Sequence, residues 1–154
     1  MDERVEIGSI VGALAVHTDA RQWEELVALF GAEVRVDYTS LFGGDPQVTP
    51  RAQLMEQWRQ FLPGFTHTTH LIGTPFVIVR GEQAQCTASV VASHFLKEDG
   101  FEGLDCWIVG GCYEIRFDKV DGAWRISSLT LARAWADGNL DLPRVARERA
   151  GAAS

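Results

Sequence analysis

Residues 83–97 alternate between small apolar and polar side chains along the whole segment. One face carries the apolar positions and a single histidine: Ala84, Cys86, Ala88, Val90, Ala92, His94 and Leu96. Alternation of this kind predicts a long β-strand with one buried face. A strand of this length must bend to keep that face covered, so the segment predicts a curved sheet around an interior.

Three other segments have strand character, at about 67–80, 106–119 and 123–135. Short turns, among them Asp121-Gly122, separate neighbouring segments and predict an antiparallel meander. Glycines lie where bends or bulges would curve the long strands, at Gly73, Gly110 and Gly111.

The first half of the chain is mostly helical. Apolar residues recur at helical spacing over 3–20, and a short second helix ends near Gly31. A strand over 34–38 follows, and then a helix with Thr49 as N-cap and Pro50 as its first residue. Helices followed by a meander predict an α+β fold: a cone-shaped, curved antiparallel sheet with a mixed edge against N-terminal helices, an α+β barrel with one pocket. We expect one domain over 1–140 and a frayed tail over 141–154.

Charge and composition limit the partners. The 154 residues carry a net charge of −7, which disfavours nucleic acid and anionic membranes. No apolar run is long enough to span a membrane, and the charged N-terminus is unlike a signal peptide, so we expect a cytoplasmic protein. The three cysteines form no CxxC pair, which disfavours a zinc site. We expect no metal and no cofactor, with a small molecule as the partner.

Polar side chains from separate elements point into the predicted interior. His94 is the ionisable residue on the apolar face of its strand, and His70 shares a face with Thr68 and Ile72. By the same alternation Tyr38 and Tyr113 point inward. A lone inward histidine is usually a satisfied core residue, whereas several polar groups in one cavity indicate a site.

Asp19 has two interpretations. With Gln22 three residues later it fits a capping box at the start of the second helix. Alternatively it pairs with an inward histidine, which would fix the imidazole tautomer and raise its basicity for general-base chemistry.

Several motifs resemble one superfamily. His17-Thr18-Asp19-Ala20-Arg21-Gln22-Trp23 resembles the helix-junction motif of the scytalone-dehydratase-like branch of the SnoaL-like, nuclear-transport-factor-two-like superfamily. Further similar segments occur in the same order over about 5–140: Val36-Asp37-Tyr38-Thr39-Ser40, Thr69-His70-Leu71-Ile72-Gly73, Ser93-His94 and Asp121-Gly122-Ala123-Trp124-Arg125-Ile126.

The resemblance implies the cone-shaped fold and a cofactor-free dehydration. It implies that Asp19 orients His94 as the general acid and base, with His70 as a second pocket histidine and Tyr38 as a phenol that holds substrate or water. The chain departs from the dehydratases at Thr18, where they have a second phenol, and at Gly111 and Tyr113, where they have small polar residues. We expect the substrate to contact Tyr113 and five apolar or aromatic residues: Trp23, Trp58, Phe61, Val90 and Trp107.

The sequence thus favours a dehydratase, a lyase acting on a small cyclic hydroxy-ketone such as a polyketide-like or steroid-like compound. Two alternatives stay open: another enzyme on this fold, such as an isomerase, polyketide cyclase or epoxide hydrolase, and a non-catalytic binding module. We expect a homodimer or homotrimer, with an outward patch of Leu129, Leu131 and Trp135 on the sheet.

Overall fold

The computed structural model describes residues 2–97 and 104–153. The predicted domain of 1–140 includes residues 1 and 98–103, and the predicted tail includes residue 154; these lie outside the described residues. In chain order the elements are α1 (Glu3–Asp19), α2 (Trp23–Val27), β1 (Phe30–Asp37), α3 (Thr39–Phe42), β2 (Gln47–Pro50), α4 (Arg51–Arg59), a 3₁₀ turn (Leu62–Gly64), β3 (His67–Ile72), β4 (Phe76–Arg80), β5 (Gln83–Leu96), β6 (Asp105–Val120), β7 (Ala123–Gly138) and α5 (Leu142–Ala153).

The seven strands form one mixed sheet in the order β2-β1-β7-β6-β5-β3, with β4 also paired to β5. The β5–β6–β7 meander is antiparallel, and β1 joins β7 in parallel. The predicted α+β class and the curved, mixed-edge sheet are confirmed, although the sheet is open at β2 and β3 and does not close into a barrel. None of the described helices has the length and apolar character that crossing a membrane requires.

The alternation of β5 is confirmed along its whole length, because every even-numbered residue from Ala84 to Leu96 is buried. The segment predicted as one strand over 67–80 is two strands, β3 and β4. They pair with opposite ends of the same edge of β5, and residues 73–75 connect them along that edge.

Two bulges on β7 change which residues face inward. In its first half Trp124 and Ile126 are buried, whereas beyond a register shift Leu129 and Leu131 are buried instead. The predicted outward position of Leu129 and Leu131 is therefore wrong: an extra residue at the bulge reverses the face. The second shift lies at Gly110 and Gly111, where bends were predicted.

Two end-of-helix predictions are wrong. Thr49 lies in β2 and makes no cap, and Pro50 precedes α4 instead of opening it.

The predicted C-terminal tail is not frayed, since α5 packs beside the 3₁₀ turn with Leu142 and Ala146 fully buried. Ala146 approaches Gly64 so closely that a Cβ on Gly64 would collide with the α5 backbone.

Candidate active site

A cavity of about 340 Å³ opens between the sheet and the helices. Its polar lining includes both predicted histidines and both tyrosines, and the remaining walls are largely aromatic and aliphatic. The predicted site residues that line it are Tyr38, Trp58, Phe61, His70, His94, Trp107 and Tyr113. A cavity of this size with a few convergent polar groups suits a small ring compound.

Two predicted contacts lie elsewhere. Trp23 lies in a separate cleft beside Asp19, where the Arg59 guanidinium stacks 5.5 Å from the centre of its ring. Val90 is buried in the core and is absent from the cavity wall. The interior face of β5 therefore lines the cavity only at Ala92 and His94.

Asp19 binds His70, not His94. Its Oδ1 accepts from His70 Nδ1 at 2.7 Å, and its Oδ2 accepts from the His70 backbone N–H at 2.7 Å. The predicted Asp19–His94 pair is wrong because α1 packs on the edge strand β3, and His94 lies one strand further into the sheet. The predicted carboxylate–histidine contact at the helix junction exists with the other histidine.

Asp19 is also not a helix cap. It is the last residue of α1, and α2 begins at Trp23 after Gln22, which makes no side-chain capping bond. The junction is a Schellman turn in which the backbone N–H of Gln22 donates to the His17 carbonyl at 2.9 Å and that of Arg21 donates to the Thr18 carbonyl at 3.2 Å. This turn directs the Asp19 carboxylate toward β3.

Arg21 occupies the left-handed position of that turn, with φ of 57°, where glycine is usual. Its guanidinium donates to the Leu62 carbonyl at 2.8 Å, to the Phe65 carbonyl at 3.3 Å and to Thr68 Oγ1 at 3.1 Å. These three bonds hold a conformation that costs a non-glycine residue about 1–2 kcal/mol. Sequence reasoning missed this role of Arg21.

Thr68 connects Arg21 to Asp19. The buried Thr68 hydroxyl accepts from the guanidinium and donates to Asp19 Oδ1 at 3.0 Å. A guanidinium can only donate, so the single hydroxyl proton is left for the carboxylate. Asp19 thus receives three donors, two from His70 and one from Thr68.

These bonds decide the charge of Asp19. Burial raises the pKa of Asp19, but the bonds from the His70 side chain, the His70 backbone and Thr68 lower it by more, and the net pKa lies below 3.8. An ionised carboxylate accepts only, so His70 Nδ1 carries the proton. In the neutral imidazole Nε2 is then the unprotonated nitrogen, on a histidine that lines the cavity.

His94 is held in a neutral form by a different set of contacts. Its Nδ1 donates to the Trp107 carbonyl at 3.0 Å, and its ring lies 4.3 Å from the Trp107 ring and 4.9 Å from the Phe65 ring, between centroids. Burial, followed by the nearby His70, lowers the pKa of His94 to about 4. Because the carbonyl accepts only, Nε2 of His94 can accept a hydrogen bond from a ligand but has no proton to give.

Tyr38 and Tyr113 are the two phenols of the cavity wall. Tyr38 lies between β1 and α3, and Tyr113 is buried on β6. Burial raises the pKa of Tyr113 to about 12, and burial together with the Tyr113 phenol raises the pKa of Tyr38 well above its usual range. Both phenols are therefore protonated donors at neutral pH.

Thr18, which stands where the dehydratases have a phenol, uses its hydroxyl inside α1. The hydroxyl donates to the Leu14 carbonyl at 2.6 Å, so it offers no free donor to the cavity that Thr18 helps to line.

Among the described residues no group of three or more His, Cys, Asp or Glu is arranged to hold a metal ion.

Comparison with known proteins agrees with the fold. Residues 1–130 match the family described as SnoaL-like domain. The protein Kfla4162 of Kribbella flavida has a similar structure, with a TM-score of 0.85, 26% identity, and coverage of 92% of this chain and 96% of that one. No curated protein matches the chain significantly.

Two similar structures carry the names of elimination enzymes. A protein provisionally named a scytalone dehydratase, from Novosphingobium aromaticivorans, has a TM-score of 0.71 at 23% identity and covers 89% of this chain and 87% of its own. A hexachlorocyclohexane dehydrochlorinase from Novosphingobium barchaimii has a TM-score of 0.69 at 15% identity, with coverage of 89% and 90%. At these identities the likeness establishes a shared fold.

Proposed function

The chain belongs to the SnoaL-like domain family, and on that premise we propose that it is a cofactor-free dehydratase acting on a small cyclic β-hydroxy-ketone. The observation that carries the proposal is the 2.7 Å bond between Asp19 and His70 Nδ1 at the cavity wall. In the neutral form of His70 this bond keeps the proton on Nδ1 and leaves Nε2 as the unprotonated nitrogen, which a general base requires.

The first step is removal of a proton from the carbon next to the ketone. His70 Nε2 accepts this proton, and the imidazolium that forms is stabilised by the carboxylate of Asp19 through Nδ1–H. The electron pair of the broken C–H bond moves toward the carbonyl and gives an enolate.

The developing enolate oxygen needs hydrogen-bond donors. Tyr38 and Tyr113 supply protonated phenols on the cavity wall, and their raised pKa values keep those protons in place at neutral pH. Pre-positioned donors of this kind contribute about 3–4 kcal/mol of transition-state stabilisation in other enzymes.

Loss of the β-hydroxyl completes the reaction. His70 Nε2–H returns its proton to the departing oxygen, so water leaves as the carbon–carbon double bond forms. His94 cannot supply that proton because its Nδ1–H is engaged with Trp107 and its Nε2 carries none. We propose instead that His94 Nε2 accepts from a substrate hydroxyl and orients the ring.

The names of two similar structures support elimination as the reaction class, since one is called a dehydratase and the other a dehydrochlorinase. The apolar walls favour a ring system, such as a polyketide-like or steroid-like compound. We also propose that the protein is cytoplasmic and assembles as a homodimer or homotrimer.

Turnover of 3-hydroxycyclohexanone and its bicyclic analogues tests the proposal, because the enone product absorbs in the ultraviolet. Wild type should release water from at least one compound, and His70→Asn should lower kcat by about 10²–10⁴-fold. His67→Asn, an exposed change on the same strand, is the matched control and should retain full activity. If these compounds bind but the wild type dehydrates none of them faster than His70→Asn does, the protein is a binding module instead.

A further inference from the structure

The cavity lining includes one permanent charge, Arg147 on α5. Of the other described residues that line it, only the two histidines and two tyrosines are ionisable, and none is an aspartate or glutamate. Among the residues that the structure describes, no carboxylate therefore shares the cavity wall with this exposed cation.

Aromatic rings hold Arg147 at this position. Its guanidinium carbon lies 4.8 Å from the ring centre of Phe42 and 4.8 Å from that of Phe61. Both phenylalanines also line the cavity, with their ring centroids 6.3 Å apart. Cation–π contacts leave the planar N–H donors of a guanidinium free to bind an acceptor.

The other arginines of α5 provide a contrast. Arg144 is paired with Asp141 and Glu148, and Arg149 donates to the Gly64 carbonyl at 3.2 Å. Within residues 2–97 and 104–153, no carboxylate forms an ion pair with Arg147. Of these three side chains, Arg147 lies at the cavity and has no acceptor among the described residues.

We propose that Arg147 binds a carboxylate on the ligand, so that the pocket selects ring compounds bearing an anionic substituent. A guanidinium forms two parallel hydrogen bonds to a carboxylate, which gives both affinity and orientation. The inference deepens the proposed function and rests on it for the reaction. Together they identify the substrate class as carboxylated cyclic hydroxy-ketones. The residue lies beyond the 1–130 segment that matches the family.

Binding of two matched probes tests the inference. 2-Naphthoate and 2-naphthamide share one ring system but differ in charge, and both can be followed by fluorescence of Trp58 and Trp107 in the cavity wall. Wild type should bind the naphthoate more tightly. Arg147→Gln should weaken naphthoate binding by about 3–10-fold, as expected for a charged hydrogen bond from a solvent-exposed side chain, and change naphthamide binding by less than about twofold. Arg144→Gln, on the same helix, should change neither.

Two results would overturn the inference. Equal weakening of both probes by Arg147→Gln would mean that the side chain only holds α5 against Phe42 and Phe61. Wild type that does not prefer the naphthoate would also contradict it. Because the assay measures binding alone, a naphthoate preference without any dehydration would refute only the proposed reaction. Dehydration without that preference would refute only the role of Arg147.

Discussion

Acid should destabilise the protein through His94 before its carboxylates begin to titrate. The folded-state pKa of His94 is about 4, below the value of 6.5 usual for a histidine, so the unfolded chain binds a proton that the folded chain rejects. This stabilising contribution is complete above about pH 6.5 and is lost as the pH falls toward 4. At about 1.4 kcal/mol for each pH unit, the total is about 3 kcal/mol, of which about 2 kcal/mol is lost between pH 7 and pH 5.

Urea denaturation at a series of pH values measures this loss. With a denaturant slope of about 2 kcal/mol/M, the urea midpoint should fall by about 1 M between pH 7 and pH 5. His94→Asn keeps an N–H donor near the Trp107 carbonyl but cannot titrate, so its stability should be nearly flat over the same range. His67→Asn removes an exposed histidine and should keep the wild-type slope. A flat wild-type profile, or a slope that survives in His94→Asn, would refute the reasoning.

Three further changes test the supports of the site. Thr68→Val removes the hydroxyl donor of Asp19 and should cost about 1–3 kcal/mol in urea denaturation, whereas Thr68→Ser should be close to wild type; equal losses would contradict the hydroxyl's role. Gly64→Ala should speed amide hydrogen exchange in α5 and cost about 1–3 kcal/mol, while Gly12→Ala, which meets no neighbour, should not; unchanged exchange would show that α5 is not docked there. Tyr38→Phe should lower kcat on any dehydration substrate by about 10²–10³-fold with little change in stability, and an unchanged kcat would exclude the phenol as a donor.

The sequence predicted most of the architecture because alternation and turn residues are local signals. The β5 face and the Asp121-Gly122 turn needed no knowledge of the rest of the chain; both turn residues have positive φ, at 51° and 81°. The convergence of His70, His94, Tyr38 and Tyr113 on one cavity also followed from side-chain parity.

Parity failed where the chain inserts an extra residue. The bulges of β7 reversed Leu129 and Leu131, and no local pattern marks an insertion that depends on the neighbouring strand. The sequence could not predict which histidine binds Asp19 either. His70 lies on β3 and His94 on β5, and the order of these two strands in the sheet decides which histidine is next to α1.

The missed helix α5 did leave a signal. Leu142, Ala146 and Ala150 recur every four residues and form its buried face. Recognising this spacing would have predicted a docked helix, and with it a place for Arg147. The role of Arg21 had no such signal. Nothing in the sequence distinguishes an arginine that takes the left-handed position of a helix end and donates to neighbouring carbonyls from an arginine that is exposed to solvent.

Nitrogen-15 NMR of the histidine rings tests the central claim, that Asp19 holds His70 with its proton on Nδ1. The neutral ring of wild-type His70 should carry its proton on Nδ1 and none on Nε2, and Asp19→Asn should abolish this pattern. The Nδ1–H of His94, bonded to the Trp107 carbonyl, should persist in both proteins as an internal reference. A wild-type His70 protonated on Nε2, or an Asp19→Asn change that alters His94 and leaves His70 as it was, would contradict the account.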